Sequence, residues 1–216
     1  MEDYMKVICA MVRSSEAFSA FMHTPSKEKF YDFCEELDEF DDFNVVVENS
    51  EISVRVFHGA TKACFYVDGW STLIKIGFSD FKVNHAAREA DMYSEACKYG
   101  VAQFLVPCKK IGKFFGTPVF ETDFIEVDEA LVTSDMWNRC SGSMSNDEIS
   151  SLLDDDDQYI SVLFPFYYYE DEVTKFCDFL SEFGINDIHS GNIGYDSDGR
   201  IKVIDYSGYY PYGYAA

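Results

Sequence analysis

The first forty-odd residues carry apolar side chains at helical spacing. Between residues 3 and 22 the spacing is roughly helical, with apolar side chains at Met5, Ile8, Met11, Val12, Phe18 and Phe21. Residues 26–43 repeat this pattern on an acidic background, at Phe30, Phe33, Cys34, Leu37 and Phe40. Pro25 and Ser26 separate the two stretches and favour a helix start. The pattern predicts a helical pair over residues 1–43, an N-terminal extension that lies outside the β-rich part of the chain and covers apolar surface of the C-terminal part.

Short β-branched and aromatic runs replace this spacing from residue 44 onward. They cover residues 44–48, 52–57, 62–67, 72–78, 104–111 and 118–125, with turn-forming residues between most of them. Residues 83–99 return to helical spacing, and Gly100 favours a helix end. We expect a five-stranded antiparallel sheet within residues 44–127, with this helix packed on it.

The C-terminal part, residues 128–216, is more polar. A helix is expected over residues 171–183, closed by Gly184, and a hairpin over strands 192–195 and 201–204. The acidic run at residues 154–157 lacks the spacing of a calcium loop and is interpreted as a solvated loop. The predicted fold class is α+β.

The charge balance limits the classes of partner that the protein is expected to bind. The chain has 39 acidic and 17 basic residues and a net charge of −22, which repels nucleic acid and anionic membranes. We therefore expect neither of those partners, whereas a basic protein partner would suit the charge. Seven scattered cysteines without a CxxC pair favour reduced thiols and a cytoplasmic location.

Five residue types that serve phosphoryl transfer occur in order along the chain. Lys75 lies in an apolar strand, and Glu89 lies on the helix that follows it. Asp187 and Asn192 are five positions apart after the 171–183 helix, and Asp205 ends the last strand. In phosphoryl transfer, a lysine on a strand holds the phosphates and is steadied by a carboxylate on a helix. An aspartate orients the acceptor hydroxyl, and the oxygens of Asn and Asp bind Mg²⁺.

The segment Asp187-Ile188-His189-Ser190-Gly191-Asn192 resembles the Asp-x-His-x-Gly-Asn catalytic loop of the aminoglycoside-phosphotransferase-like and protein-kinase-like superfamily. Asp205-Tyr206-Ser207 stands where that superfamily has Asp-Phe-Gly. The resemblance implies a two-lobed kinase-like fold that uses ATP and Mg²⁺, with a β-rich lobe at 44–127 and a short helical lobe at 128–216. It implies that Asp187 is the catalytic base, that Asn192 and Asp205 bind Mg²⁺, and that Lys75 and Glu89 form an ion pair.

The same resemblance implies a hinge over residues 119–128 that receives adenine through backbone groups. Glu121, Phe124 and Glu126 would contact the nucleotide there, together with Lys75 at the phosphates. His189 is interpreted as a brace of the catalytic loop through hydrogen bonds.

Two features depart from the family pattern and leave two functions open. The segment His58-Gly59-Ala60-Thr61-Lys62, at the place of a glycine-rich phosphate loop, has one glycine, and eleven residues follow Asp205. The first function is an ATP- and Mg²⁺-dependent phosphotransferase acting on a hydroxyl of a protein or small molecule. The alternative is a pseudokinase-type acidic binding or inhibitor protein without catalysis.

Overall fold

Helices and a six-stranded antiparallel sheet make up an α+β fold, as the sequence predicts. The computed structural model describes residues 2–37, 42–153 and 158–208, so the acidic run at 154–157 lies outside the described residues. The chain divides into two compact units. We call Met1–Ala90 with Cys108–Phe124 the sheet unit, and Asp91–Pro107 with Ile125–Ala216 the helical unit.

The sheet has the strand order β1-β2-β3-β4-β6-β5, and every neighbouring pair is antiparallel. Its strands are β1 (Asp42–Val47), β2 (Ser50–His58), β3 (Lys62–Val67), β4 (Thr72–Gly77), β5 (Cys108–Phe114) and β6 (Thr117–Asp123). It has six strands rather than the predicted five, because β1 pairs with β2 as an edge hairpin. Glu48 and Asn49 form the two-residue turn with φ of 51° and 67°, the positive values that twisted hairpins favour.

One face of this sheet packs against three N-terminal helices, α1 (Glu2–Ser14), α2 (Glu16–His23) and α3 (Lys27–Cys34). The predicted helix over 3–22 is broken at Ser15, whose Oγ accepts the Phe18 N–H at 2.9 Å and caps α2. Phe18, Phe21 and Phe65 lie in this core with ring centroids 5.4 to 6.2 Å apart. Burying each phenylalanine stabilises the unit by about 1.5–3 kcal/mol. The helices are therefore one layer of the sheet unit, and the expectation that they lie outside the β-rich part and cover the C-terminal part is wrong.

Helix α4 (His85–Tyr99) begins in the sheet unit and ends in the helical unit. The helical unit also holds α5 (Glu129–Cys140), α6 (Asn146–Leu153), α7 (Gln158–Leu163), α8 (Glu170–Phe183) and the hairpin of β7 (Ile193–Tyr195) with β8 (Ile201–Val203). Gly184 caps the C-terminal end of α8 with a φ of 62°, a left-handed conformation that glycine adopts without strain. Phe104 stacks on Phe176 at 4.4 Å in the core of this unit.

A backbone hydrogen bond from the Val106 N–H to the Val203 carbonyl, at 3.0 Å, joins the first segment of the helical unit to β8. Within the described part of the chain, no helix combines the length and apolar character needed to cross a membrane.

Candidate active site

Lys75 lies on β4, and its buried side chain pairs with Glu89 on α4. Its Nζ is 2.6 Å from Glu89 Oε2, and the Glu89 side chain is completely buried. Asn84 caps the start of α4 by accepting the Ala87 N–H at 2.9 Å, and the same side chain lies against Gly77 at the end of β4. A Cβ on Gly77 would lie 2.4 Å from that Asn84 Oδ1, so the glycine permits this contact. The structure thus brings together the two residues for which the resemblance implies an ion pair.

Lys62, the first residue of β3, is a second lysine at the same carboxylate and is not among the site residues predicted from the sequence. Its Nζ is 2.5 Å from Glu89 Oε1, and its side chain is 4% exposed. Cys64 pairs with Lys75 in the sheet register, so Lys62, two residues before Cys64, lies on the same face as Lys75. The sequence carries no local signal for this placement, because β3 reads Lys-Ala-Cys-Phe-Tyr-Val without alternation of polar and apolar residues.

The buried thiol of Cys108 belongs to the same surroundings. Burial, together with the negative charge of Glu89, raises the pKa of Cys108 to about 12, although Lys75 and Lys62 oppose this shift. Its Sγ lies 3.9 Å from the Ala86 carbonyl. The thiol is therefore protonated at neutral pH, as is usual for a buried cysteine in apolar surroundings.

The predicted catalytic loop, which lies in the helical unit, is held by hydrogen bonds centred on Asn192. Its Nδ2 donates to the Asp187 carbonyl at 2.8 Å, and its backbone N–H donates to the His189 carbonyl at 2.9 Å. These bonds use nitrogen atoms, and the amide oxygen is the atom that would bind a metal. The Asp187 side chain is 44% exposed. The loop thus holds Asn192 firmly and presents Asp187 to solvent.

His189 contacts the loop through both ring nitrogens. Its Nδ1 accepts the Gly191 N–H at 3.1 Å, while Nε2 lies 3.1 Å from Asn192 Nδ2 and 3.9 Å from Asp187 Oδ1. A Cβ on Gly191 would lie 2.9 Å from the His189 ring and 3.0 Å from Glu129 Oε1, so only glycine fits between them. This is the bracing geometry that the sequence suggested for His189.

Asp205 directly follows a residue that is bonded to the catalytic loop. The Ile204 N–H donates to the Asn192 carbonyl at 2.9 Å. The Asp205 Oδ1 accepts the Ser207 hydroxyl at 3.2 Å, and the Tyr206 hydroxyl donates to the Val106 carbonyl at 2.6 Å. The hairpin of β7 and β8 therefore returns the chain from Asn192 to the segment that bears Asp205.

The side-chain oxygens of Asn192 and Asp205 are of the type that binds hard cations such as Mg²⁺, Ca²⁺ and Mn²⁺. Mg²⁺ is usually bound by one or two side-chain oxygens, with nucleotide phosphates and water completing the octahedron. Among residues 2–37, 42–153 and 158–208, no three or more His, Cys, Asp or Glu side chains are grouped to hold a metal ion.

The three predicted hinge residues have different surroundings. Glu121 lies on β6, with its Oε2 3.6 Å from Lys109 Nζ. Phe124 follows β6; its ring stacks on Tyr66 at 3.9 Å, and its N–H donates to the Ser71 carbonyl at 2.9 Å. Glu126 is exposed and belongs to the helical unit, because the boundary between the units falls after Phe124. The backbone N–H of Phe124 is therefore already used within the chain.

No family model matches this chain, and no curated protein matches it.

Proposed function

We propose that this protein is an ATP- and Mg²⁺-dependent phosphotransferase of kinase-like fold that phosphorylates a hydroxyl of a protein or small molecule. The observation that supports this most strongly is the buried pair of Lys75 and Glu89, with Nζ 2.6 Å from Oε2. A strand lysine steadied by a helix glutamate is the arrangement that positions ATP phosphates in kinases. A lysine that served only packing would place its ammonium in solvent.

The roles of the other residues follow from their chemistry. Asn192 and Asp205 would hold Mg²⁺, which neutralises charge on the phosphates during transfer. Asp187 would accept the proton of the acceptor hydroxyl, whose oxygen forms a new bond to the γ-phosphorus as the bond to the ADP oxygen breaks. The exposure of the Asp187 side chain supports this role, because an acceptor must reach it.

A binding protein without catalysis is the second candidate. Two observations favour it: the net charge of −22, which suits a basic partner, and the Phe124 backbone N–H, which is bonded to Ser71 rather than open to adenine. Such a protein would have no need for a metal ligand and a base five residues apart.

Phosphate transfer by Asp187→Asn separates the two candidates. We expect labelled phosphate from ATP to move onto an acceptor in a lysate of the native host when the wild type is added, and not with the variant. The ATP affinity of the variant should stay nearly unchanged, because the base contacts the acceptor rather than the nucleotide. Asn192→Ala should lower both ATP affinity and transfer. Full transfer by Asp187→Asn, or none by the wild type, would favour the binding protein.

A further inference from the structure

The carboxylate of Asp135, on α5, accepts hydrogen bonds from two tyrosine hydroxyls and one guanidinium group. Its Oδ2 accepts the Tyr195 hydroxyl at 2.9 Å and also the Tyr167 hydroxyl. Its Oδ1 accepts the Arg139 Nε–H at 2.8 Å, and Arg139 also donates to the Tyr167 hydroxyl at 3.0 Å. We call these four side chains the Asp135 network. Because Tyr195 is the last residue of β7, the network joins α5 to the strand that follows Asn192.

We infer that Asp135 is a positioning residue, which acts through Tyr195 to hold Asn192 where it would bind Mg²⁺. This inference rests on the proposed function. Burial alone would raise the pKa of Asp135, but the hydrogen bonds from the two tyrosine hydroxyls and the guanidinium group lower it below its ordinary value. The carboxylate is therefore ionised at neutral pH, and hydrogen bonds to an ionised acceptor are stronger than those between neutral groups.

The segment from the catalytic loop to Tyr195 packs closely against α5 and the residues that lead to it. A Cβ on Gly194 would lie 2.5 Å from Ile125 Cγ2, in the segment that precedes α5. At Gly191 the neighbour is Glu129, the first residue of α5, whose Oε1 would lie 3.0 Å from an added Cβ. This packing leaves little room for β7 to shift, and the hydroxyl bond of Tyr195 fixes its far end.

The position of Tyr195 is transmitted to both metal-type ligands through the hairpin. Asn192 is three residues before Tyr195, about 10 Å along an extended chain. Strand β7 pairs with β8, and the Ile204 N–H donates to the Asn192 carbonyl at 2.9 Å. A shift of Tyr195 would therefore move Asn192 and the segment that bears Asp205. Groups that orient metal ligands typically change metal affinity roughly 10- to 100-fold when they are removed.

The competing explanation is that the Asp135 network stabilises the helical unit without any effect on Asn192. Tyr99 provides the matched control, because its hydroxyl donates to Glu182 Oε2 at the same distance of 2.9 Å. That bond joins the last residue of α4 to α8, two other elements. Tyr195→Phe and Tyr99→Phe each remove a tyrosine–carboxylate hydrogen bond and keep the ring. Only Tyr195→Phe should alter the metal site.

The first measurement is the dissociation constant of ATP at increasing Mg²⁺ concentrations, by calorimetric titration of the wild type and both variants. Tyr195→Phe should need at least about fivefold more Mg²⁺ to reach half of the full increase in ATP affinity, somewhat less than removal of a group that touches the ligand itself. Tyr99→Phe should change this requirement less than about twofold. Without Mg²⁺, all three proteins should bind ATP equally, because Lys75 then contacts the phosphates.

The second measurement follows the catalytic loop without any ligand. The N–H groups of Gly191 and Asn192 donate to the ring and the carbonyl of His189, so their hydrogen exchange reports how firmly the loop is held. Tyr195→Phe should raise exchange at these two amides at least about threefold over the wild type, as expected when a hydrogen bond that restrains the loop is lost. Tyr99→Phe should leave their exchange unchanged.

Each outcome decides the inference. An unchanged Mg²⁺ requirement in Tyr195→Phe overturns it, even with faster exchange of the loop amides, and leaves the proposed function standing. A raised requirement without faster exchange also overturns it, because the effect then does not pass through the loop. A wild type that binds no ATP at any Mg²⁺ concentration overturns both claims. If Tyr195→Phe does not fold, Asp135→Asn carries the same test, because its amide oxygen still accepts a tyrosine hydroxyl without the charge.

Discussion

Glu89 is the residue on which the buried charges of the sheet unit depend. Its carboxylate lies within 2.6 Å of two lysine ammonium groups, and its side chain is completely buried. A buried charge that loses its partner costs far more than a surface ion pair contributes. Glu89 therefore has a structural role in addition to any role in binding ATP.

Glu89→Gln should destabilise the protein by about 3–5 kcal/mol, because it removes the negative charge between two buried lysines. Urea unfolding followed by circular dichroism measures this change. Glu95→Gln is the matched control on the same helix, since Glu95 pairs with Lys98 at 2.6 Å on the surface. The control should lose about 0.5 kcal/mol or less. Equal losses in the two variants would contradict the account of the buried cluster.

At the scale of elements, α1 is joined to the sheet by Tyr4. Its hydroxyl is hydrogen-bonded to Thr72 at the start of β4, and its ring meets Trp70 edge-on at 4.4 Å. Burial, together with the charges of Glu121 and Asp123, raises the pKa of Tyr4 from an ordinary value of 10.0 to about 12, although the bond to Thr72 opposes this shift. The neutral phenol is therefore favoured by folding.

This pKa makes the packing of α1 sensitive to alkali. The contribution of Tyr4 to stability is fully present below pH 10.0 and is lost as pH rises towards 12, because the unfolded chain releases the proton first. The free energy of unfolding should therefore fall more steeply over this range in the wild type than in Tyr4→Phe. Tyr31→Phe, which alters a 44% exposed ring, should behave like the wild type. Identical pH profiles for all three proteins would refute the role of Tyr4.

The elements also show what the sequence could predict. The α+β class, the helix α4 and the hairpin of β7 with β8 follow from apolar spacing and turn residues. Helices α5 and α6 were not predicted, because their Ser, Thr and Asp residues weaken the apolar pattern, and α7, with six residues, is too short to show a period. The break at Ser15 was also missed, since apolar spacing continues across it while only the cap reveals it.

Some residues of the candidate site could likewise be predicted from the sequence, and others could not. Lys75 and Glu89 could be chosen by their order along the chain, and the structure brings them together. Lys62 could not be chosen in this way, because its place at Glu89 depends on the register of β3 against β4. A turn sets that register, and composition does not reveal it. The bond from Phe124 N–H to Ser71 is likewise a tertiary contact without a local signal.

At the scale of the whole molecule, the net charge of −22 dominates long-range electrostatics. Like charges repel within the folded chain, and salt screens them over a Debye length of about 10 Å at 0.1 M and about 3 Å at 1 M. The melting temperature should therefore rise from low salt to moderate NaCl, as scanning calorimetry can measure. A melting temperature that falls with added NaCl would mean that attractive ion pairs outweigh this repulsion.

Binding of ATP-Mg tests the central claim most directly. A thermal-shift titration of the wild type with ATP, with and without Mg²⁺, should raise the melting temperature, and a ligand at 100 times its dissociation constant adds about 2.7 kcal/mol of stability. Lys75→Ala and Asp205→Ala should each abolish the shift measured from their own unliganded melting temperatures, whereas Lys113→Ala should keep it. A flat response of the wild type to millimolar ATP-Mg, or unchanged shifts in both site variants, would contradict the account.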